Sequence, residues 1–244
     1  NLSHSLSLPG QEINEAIEKA GHWLLKSGIQ YLGDNPMLRG GMAAWYERNE
    51  DLYPYLYSEI TGYALSTFLF LNRIAPNKQW IRHALLAARW LMNKALTKEG
   101  AVRTRLYLHK DYYIGKFSFN SGLFYSFDTA VVGYGLLQLY KKTGSPVYLK
   151  AVEKILHFLI HTLRKKDGTF YAYFNPKIRR CGDEPDWWSR QSGSFHNKFA
   201  ILFLDYFKLT GDAHYKDYAT ALLDTQLKWQ EKNGNSQRSS REPQ

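Results

Sequence analysis

Three loops of the sequence combine acidic with aromatic side chains, a combination suited to carbohydrate chemistry. The first loop contains Glu59, the second contains Asp128 and the third contains Asp186. Carboxyl groups act as general acids and bases, and a pair of them catalyses glycoside reactions, with their separation deciding inversion or retention. The sequence therefore predicts Glu59, Asp128 and Asp186 as catalytic residues.

Each of these acids also has a structural interpretation. Glu59 follows Ser58 in the first turn of a predicted helix, where the helix dipole stabilises acids and Ser58 would be the N-cap. The same dipole would keep Glu59 ionised, which suits a base better than a proton donor. Asp128 is placed at the analogous position one repeat later, where it would serve as an N-cap. Asp186 would be solvated, or it would be the acid whose pKa is raised by an adjacent apolar wall.

The side chains around these acids are suited to holding a sugar. Aromatic faces stack on the apolar faces of sugar rings, and hydroxyl groups need paired donors and acceptors. Arg190 would hold a uronate carboxylate or a sulfate through its planar fork, or pair with Asp186. His196 would contact substrate or act as a structural hydrogen-bonding group, whereas Asp183 and Glu184 are expected to be solvated. The predicted substrate-binding residues are Tyr57, Tyr63, Tyr125, Trp187, Trp188, Arg190 and His196.

An internal repeat predicts the elements that position these loops. Alanines recur at the same phase of four predicted helices, at spacings of 68, 67 and 68 residues. Each unit contains a helix, a tight turn, a second helix and a long loop with a short extended piece. Helices that are apolar nearly all round are predicted at 59–74, 127–142 and 194–210. Amphipathic helices are predicted at 11–27, 78–95, 146–165 and 213–230.

This pattern indicates two concentric layers of helices. A helix without a polar face is buried on most sides, whereas an amphipathic helix faces both the core and water. The predicted fold is all-α: an incomplete α/α toroid of about three and a half hairpins, with short β-hairpin loops. An open solenoid is the alternative, but its usual periods of about 34 to 47 residues fit this repeat poorly. In the toroid, the loops before the inner helices converge on one rim.

Composition sets the remaining limits. The chain has 244 residues, a net charge of +10 and one cysteine, so an internal disulfide is excluded. One domain is expected over residues 1–232, followed by a disordered polar tail at 233–244. The basic balance favours a polyanionic ligand, but the scattered charges argue against a nucleic-acid arm. The sequence leaves the compartment open; the single cysteine and the lack of a visible signal peptide or membrane span favour a soluble, cytoplasmic protein.

Motifs for metals and cofactors are not evident. The sequence contains no P-loop, dinucleotide fingerprint or zinc-knuckle spacing. His157 and His161 are four residues apart, but the Glu of the metalloprotease pattern is missing, and a solvated or half-buried pair is predicted. Gly133 and Gly135 are assigned to close packing of an inner helix. No metal or cofactor is therefore expected.

The combination of these features resembles the six-hairpin glycosidase-like superfamily, most of all the bacterial toroids found with polysaccharide synthesis and degradation. The resemblance covers about residues 11–230 and is specific for architecture. It implies a carbohydrate ligand in a central cleft, with acid and base groups on its rim. One departure is that the superfamily barrel has six hairpins, whereas this chain supplies about three and a half. The stretches that carry the likeness are 58–63 and 127–129, which open inner helices, and the turns 143–148 and 210–215.

The sequence predicts a carbohydrate-active enzyme, resembling a glycoside hydrolase, a lyase or an epimerase. Its substrate would be a polar or acidic polysaccharide, and catalysis would depend on carboxylate acid/base chemistry. The rival prediction is a non-catalytic glycan-binding component of polysaccharide biosynthesis or export. A terpenoid cyclase-like toroid is a third class, but it would need an acid-rich metal motif that the sequence lacks.

Overall fold

The protein is described by a computed structural model that covers residues 10–109, 122–184 and 190–230. This part of the chain contains seven α-helices, which start and end close to the predicted bounds. The helices are α1 (Gly10–Lys26), α2 (Ser58–Ile74), α3 (Lys78–Trp90), α4 (Ser126–Thr143), α5 (Pro146–Phe158), α6 (Lys198–Thr210) and α7 (Ala213–Leu227).

The helices form two layers, as the repeat predicts. Helices α2, α4 and α6 lie side by side, and α3, α5 and α7 each pack outside the inner helix that precedes them in the chain. Inner-helix residues such as Leu65, Leu136 and Phe203 are fully buried between the layers. An outer helix followed by three hairpins therefore gives the predicted incomplete α/α toroid.

Small residues allow the inner helices α2 and α4 to approach closely. A Cβ atom added at Gly135 would lie 2.8 Å from the Gly62 carbonyl oxygen, and one added at Gly62 would lie 3.1 Å from the Val132 Cα. Larger side chains would push the helices apart. The predicted packing role of Gly135 is confirmed, and the contact allows α2 and α4 to approach closely.

Short strands connect the loops around the helix starts. β1 (Tyr55–Tyr57) pairs antiparallel with β2 (Arg105–Tyr107). β3 (Phe124–Tyr125), β4 (Tyr173–Asn175) and β5 (Arg180–Gly182) form an antiparallel sheet in that order. β4 and β5 make the predicted kind of hairpin, whereas the other pairs join a strand before an inner helix to the loop after the next outer helix. These strand pairs therefore join the two ends of a helical hairpin.

Turns link each unit to the next. Gly100 has a φ of +95°, and a Cβ atom there would lie 2.0 Å from the Lys154 carbonyl oxygen of α5, so only glycine fits. The predicted outer helices extend beyond α3 and α5 through π-helical segments, Leu91–Ala95 and Leu159–Leu163. These segments recur one repeat apart and turn the chain back toward the rim.

In the part of the chain that the structure describes, no helix combines the length and apolar character needed to cross a membrane. The predicted polar tail at 233–244 lies outside the described residues.

Candidate functional site

A cavity of about 280 Å³ lies where the inner helices begin. It collects side chains from loops that are far apart in sequence, as the predicted convergence on one rim requires. Six of the predicted site residues contribute to its wall. The lining residues are Tyr57, Glu59, Tyr63, Tyr125, Phe127, Asp128, Ala172, Phe195, His196 and Lys198.

Two buried serines fix the starts of α2 and α4. The Ser58 amide donates to the Thr104 carbonyl and its hydroxyl to the Arg103 carbonyl, at 2.9 and 2.5 Å. The Ser126 amide and hydroxyl both donate to the Ala172 carbonyl, at 2.9 and 3.2 Å. Each serine therefore holds an inner helix against the loop that follows the next outer helix.

The capping interpretations of Ser58 and Asp128 are wrong. The N-cap residues are Tyr57 and Tyr125, and neither makes a side-chain capping hydrogen bond. Ser58 is the first residue of α2, and Asp128 is the third residue of α4. Glu59 is the second residue of α2, so Asp128 is offset from the analogous position by one residue. This offset turns the two side chains differently on their helices.

Tyr57 connects the two carboxyl groups. Hydrogen bonding with Tyr57, which lines the cavity beside both acids, lowers the pKa of Glu59 and of Asp128. Burial raises the pKa of both carboxyl groups, and this effect is larger than that of the hydrogen bonding. It raises the pKa of Asp128 to about 8, with a further increase from the negative charge of Glu59. At neutral pH Asp128 therefore holds a proton.

Glu59 carries the negative charge of this pair. Burial also raises the pKa of Glu59, contrary to the expectation that the helix dipole keeps it low. The hydrogen bond from Tyr57 and the positive charges of Lys198 and Arg105 oppose that increase. Because Glu59 is only half-buried while Asp128 is 3% exposed, the shared proton resides on Asp128.

Two cations at the site were not predicted. Lys198 donates from Nζ to the Tyr63 hydroxyl at 3.0 Å and lies 5.4 Å from the Phe127 ring centroid. Arg105 lies over the rings of Tyr55 and Tyr57, at 5.3 and 5.2 Å. One sequence signal could have indicated Lys198: a cation in the first turn of a helix opposes the helix dipole and needs another reason to be there.

His196 is a buried neutral group in the cavity wall. It is 1% exposed, and its Nε2 lies 3.2 Å from the Ser126 hydroxyl oxygen. Burial, assisted by the charge of Lys165, lowers its pKa to about 3. Within the described residues Nδ1 has no hydrogen-bond partner, and the same is true of Oδ2 of Asp128.

The cavity wall does not include Asp183, Glu184 or Arg190 of the third loop. Arg190 pairs with Glu184 at 2.7 Å, and Glu184 also accepts from the Tyr173 hydroxyl at 2.8 Å. Asp183 pairs with Lys165 at 2.6 Å. Asp183 and Glu184 are therefore partly exposed, and their ion pairs hold the loop.

Three predicted residues of the third loop, Asp186, Trp187 and Trp188, lie outside the described residues. In the described segments, no group of three or more His, Cys, Asp or Glu side chains is arranged to hold a metal ion.

No protein-family model matches the sequence, and no curated protein matches it. Solved structures do match it in fold. A family 76 glycoside hydrolase, an α-mannanase of Bacteroides thetaiotaomicron, aligns over 91% of this chain and 56% of its own, at 16% identity and a TM-score of 0.71. Cellobiose 2-epimerase of Spirochaeta thermophila aligns over 88% of this chain and 54% of its own, at 15% identity and a TM-score of 0.65.

A D-mannose isomerase aligns over 94% of this chain and 55% of its own, at 12% identity and a TM-score of 0.71. The chain thus spans little more than half the length of these proteins. Their identities are too low to transfer an activity, but the agreement extends over nearly the whole chain. The chain therefore shares the α/α-toroid fold of these proteins.

Proposed function

We propose that the cavity is the active site of a carbohydrate-active enzyme that cleaves glycosidic bonds in an acidic glycan. The observation that carries this proposal is that two carboxyl groups, Glu59 and Asp128, line one aromatic cavity. Glycoside cleavage needs one carboxyl group with a proton and one without. The carbohydrate enzymes that share the fold support the same class of substrate.

The two carboxyl groups take different roles in this proposal. Asp128, which keeps its proton at neutral pH, protonates the leaving oxygen of the scissile bond. Glu59 carries the negative charge and acts as the base or as the nucleophile. This assigns to Glu59 the base role that the sequence predicted. Asp186 remains a predicted third acid.

Aromatic and polar groups of the cavity would bind the sugar. Tyr57, Tyr63 and Tyr125 offer ring faces and hydroxyls, and the predicted substrate-binding roles are retained for them. His196 is neutral, so its imidazole would hydrogen-bond a sugar hydroxyl and would not act as a strong base. Trp187, Trp188 and Arg190 remain predicted substrate contacts.

The charges at the site favour a negatively charged sugar. The two carboxyl groups share one proton and so contribute one negative charge. Lys198 and Arg105 contribute two positive charges beside them. Lys198 is exposed at the rim, where its ammonium group would pair with a uronate or sulfate group of the substrate.

A substrate panel tests this proposal. The full chain is incubated with uronate-containing and neutral oligosaccharides, and products are detected as new reducing ends, as ultraviolet absorbance of unsaturated uronates, or as epimerised sugars by NMR. We expect cleavage of the uronate-containing members and its loss in Glu59→Gln and Asp128→Asn. Glu18→Gln and Asp217→Asn make the same changes at exposed positions and should keep full activity.

Other outcomes of the panel contradict the proposal. Binding of an oligosaccharide without any product would favour the rival prediction of a glycan-binding component. Epimerised sugars without cleavage would favour the chemistry of the epimerase neighbours. Preference for neutral over uronate-containing substrates would contradict the proposed acidic substrate but not the proposed catalytic roles of the two carboxyl groups.

A further inference from the structure

A second, larger recess lies on the outer surface of the toroid. It has a volume of about 1080 Å³ and is bounded by the turn at residues 97–103, helix α5 and the β4–β5 hairpin. Its wall includes none of the residues that line the catalytic cavity. We call this recess the outer groove.

The outer groove and the cavity lie on opposite faces of strand β3. Tyr125 contributes to the cavity and Phe124 to the groove, because successive residues of a strand point to opposite faces. Phe124 stacks on Phe174 at a centroid distance of 6.5 Å, and Phe158 packs edge-on against Phe174 at 5.8 Å. These packed rings form the apolar floor of the groove.

The walls of the outer groove are positively charged. Five cationic side chains face two glutamates, and all seven residues are exposed. None of the five cations forms a salt bridge within the described residues. The cations are Lys98, Arg103, Lys150, Lys154 and Arg179, and the glutamates are Glu99 and Glu153.

Part of this charge forms a row along α5. Lys150 and Lys154 are four residues apart, so their charges lie on one face of the helix about one turn apart, and the exposed His157 side chain lies on the same face. Like charges placed in this way repel one another, and an anionic chain along the row would relieve that repulsion.

We propose that the outer groove is a second binding site, separate from the catalytic cavity, for a chain of an acidic polysaccharide. The excess of cations attracts the carboxylates of such a chain, and the phenylalanine floor contacts the apolar faces of its sugars. The glutamates accept hydrogen bonds from sugar hydroxyls but would repel the closely spaced phosphates of a nucleic acid. The choice of a glycan rests on the proposed function, whereas the anion-binding character rests on the groove itself.

Binding of polygalacturonate to the full chain tests this inference, with dextran as the neutral polymer. The groove variant is Lys150→Gln/Lys154→Gln, and the control is Lys216→Gln/Lys228→Gln, which removes the same charge from exposed positions on and just after α7. Exposed ion pairs contribute about 0.2–1 kcal/mol each, so we expect the loss of two cations to weaken polygalacturonate binding by about twofold to thirtyfold. The control should stay within about twofold of the parent chain. Added salt should weaken the parent more than the groove variant.

Three results would overturn the inference: an equal loss in both double variants, unchanged affinity in the groove variant, or tighter groove-dependent binding of single-stranded RNA than of polygalacturonate. Asp128→Asn separates the two proposals, because it should abolish turnover and keep polymer affinity. Groove-dependent binding without turnover of any glycan would contradict the proposed function and support the proposed binding site in the outer groove. Turnover without groove-dependent binding would support the proposed function and contradict the proposed binding site.

Discussion

Asp128 and His196 occupy the same position in successive repeats, and comparing them shows how the fold shapes its chemistry. Each is the second residue after a serine, Ser126 or Ser194, and they are 68 residues apart. Both are almost fully buried and line the same cavity. Their pKa values move in opposite directions, to about 8 for Asp128 and about 3 for His196.

One cause explains both shifts. Burial disfavours whichever form of a group is charged, so the acid keeps its proton and the imidazole stays without one. Glu59, which is half-buried and lies beside Lys198, remains as the anion of the site. The comparison teaches that at equal depth the type of residue decides whether the group keeps or loses a proton. Between the two carboxyl groups, depth decides which one keeps it.

The largest effect is expected from Asp128→Asn. General acid catalysis contributes about 10²–10⁴-fold, so kcat should fall by that factor on any substrate found in the panel. His196→Gln should mainly raise KM, because a neutral imidazole contributes binding and no proton. Steady-state kinetics of both variants measure the difference. Equal losses of kcat in the two would mean that the equivalent positions have equivalent roles.

The next largest effect is expected in the pH dependence of stability, which should differ between Asp128 and His196. The pKa of Asp128 is raised from 3.8 to about 8, so its contribution to stability is complete below pH 3.8 and is lost as pH rises towards 8. We expect the free energy of unfolding of Asp128→Asn to rise relative to the parent chain over this window. Denaturant melts at several pH values measure it. If the difference in unfolding free energy between Asp128→Asn and the parent chain did not change with pH, Asp128 would not hold this proton.

His196 should show the opposite slope. Its pKa is lowered from 6.5 to about 3, so its contribution to stability is present above pH 6.5 and is lost as pH falls towards 3. In His196→Gln this loss should be absent, so acid should destabilise the variant less than the parent. His214→Gln, at an exposed position, is the control. A matching change in the control would show that the effect is not due to burial.

The smallest effects concern the serines that hold the helix starts. Ser58→Ala removes one donated hydrogen bond, which costs about 0.5–1.5 kcal/mol. Ser126→Ala also removes the partner of His196 Nε2 and should cost about 1–3 kcal/mol. Unfolding free energies of the two variants compare them. A smaller loss for Ser126→Ala would mean that His196 does not depend on this contact.

The positions of the elements could be predicted because they depend on local patterns. The apolar pattern predicted a helix at 59–74 and the structure has α2 at Ser58–Ile74. The repeat predicted that loops before inner helices converge, and Glu59, Asp128 and His196 do line one cavity. Periodicity predicted outer helices that end at 95 and 165, and the helical structure ends at 95 and 163, but periodicity does not show that the last five residues of each are π-helical.

The electrostatics of the site could not be predicted in the same way. Arg105 and Lys198 reach Glu59 from segments 46 and 139 residues away in the chain, and neither is marked by a motif. Arg190 pairs with Glu184, a partner that no motif indicates. Such pairings depend on how loops from different units meet.

The sequence by itself determined the helices, their two layers and the rim that holds the acids, because hydrophobic periodicity and turn residues act over a few neighbouring positions. Only the tertiary structure decided which carboxyl group is buried, which one faces the cations and which histidine loses its charge. The physical reason is that a pKa depends on the water and the charges around a group, and these come from residues far apart in the chain.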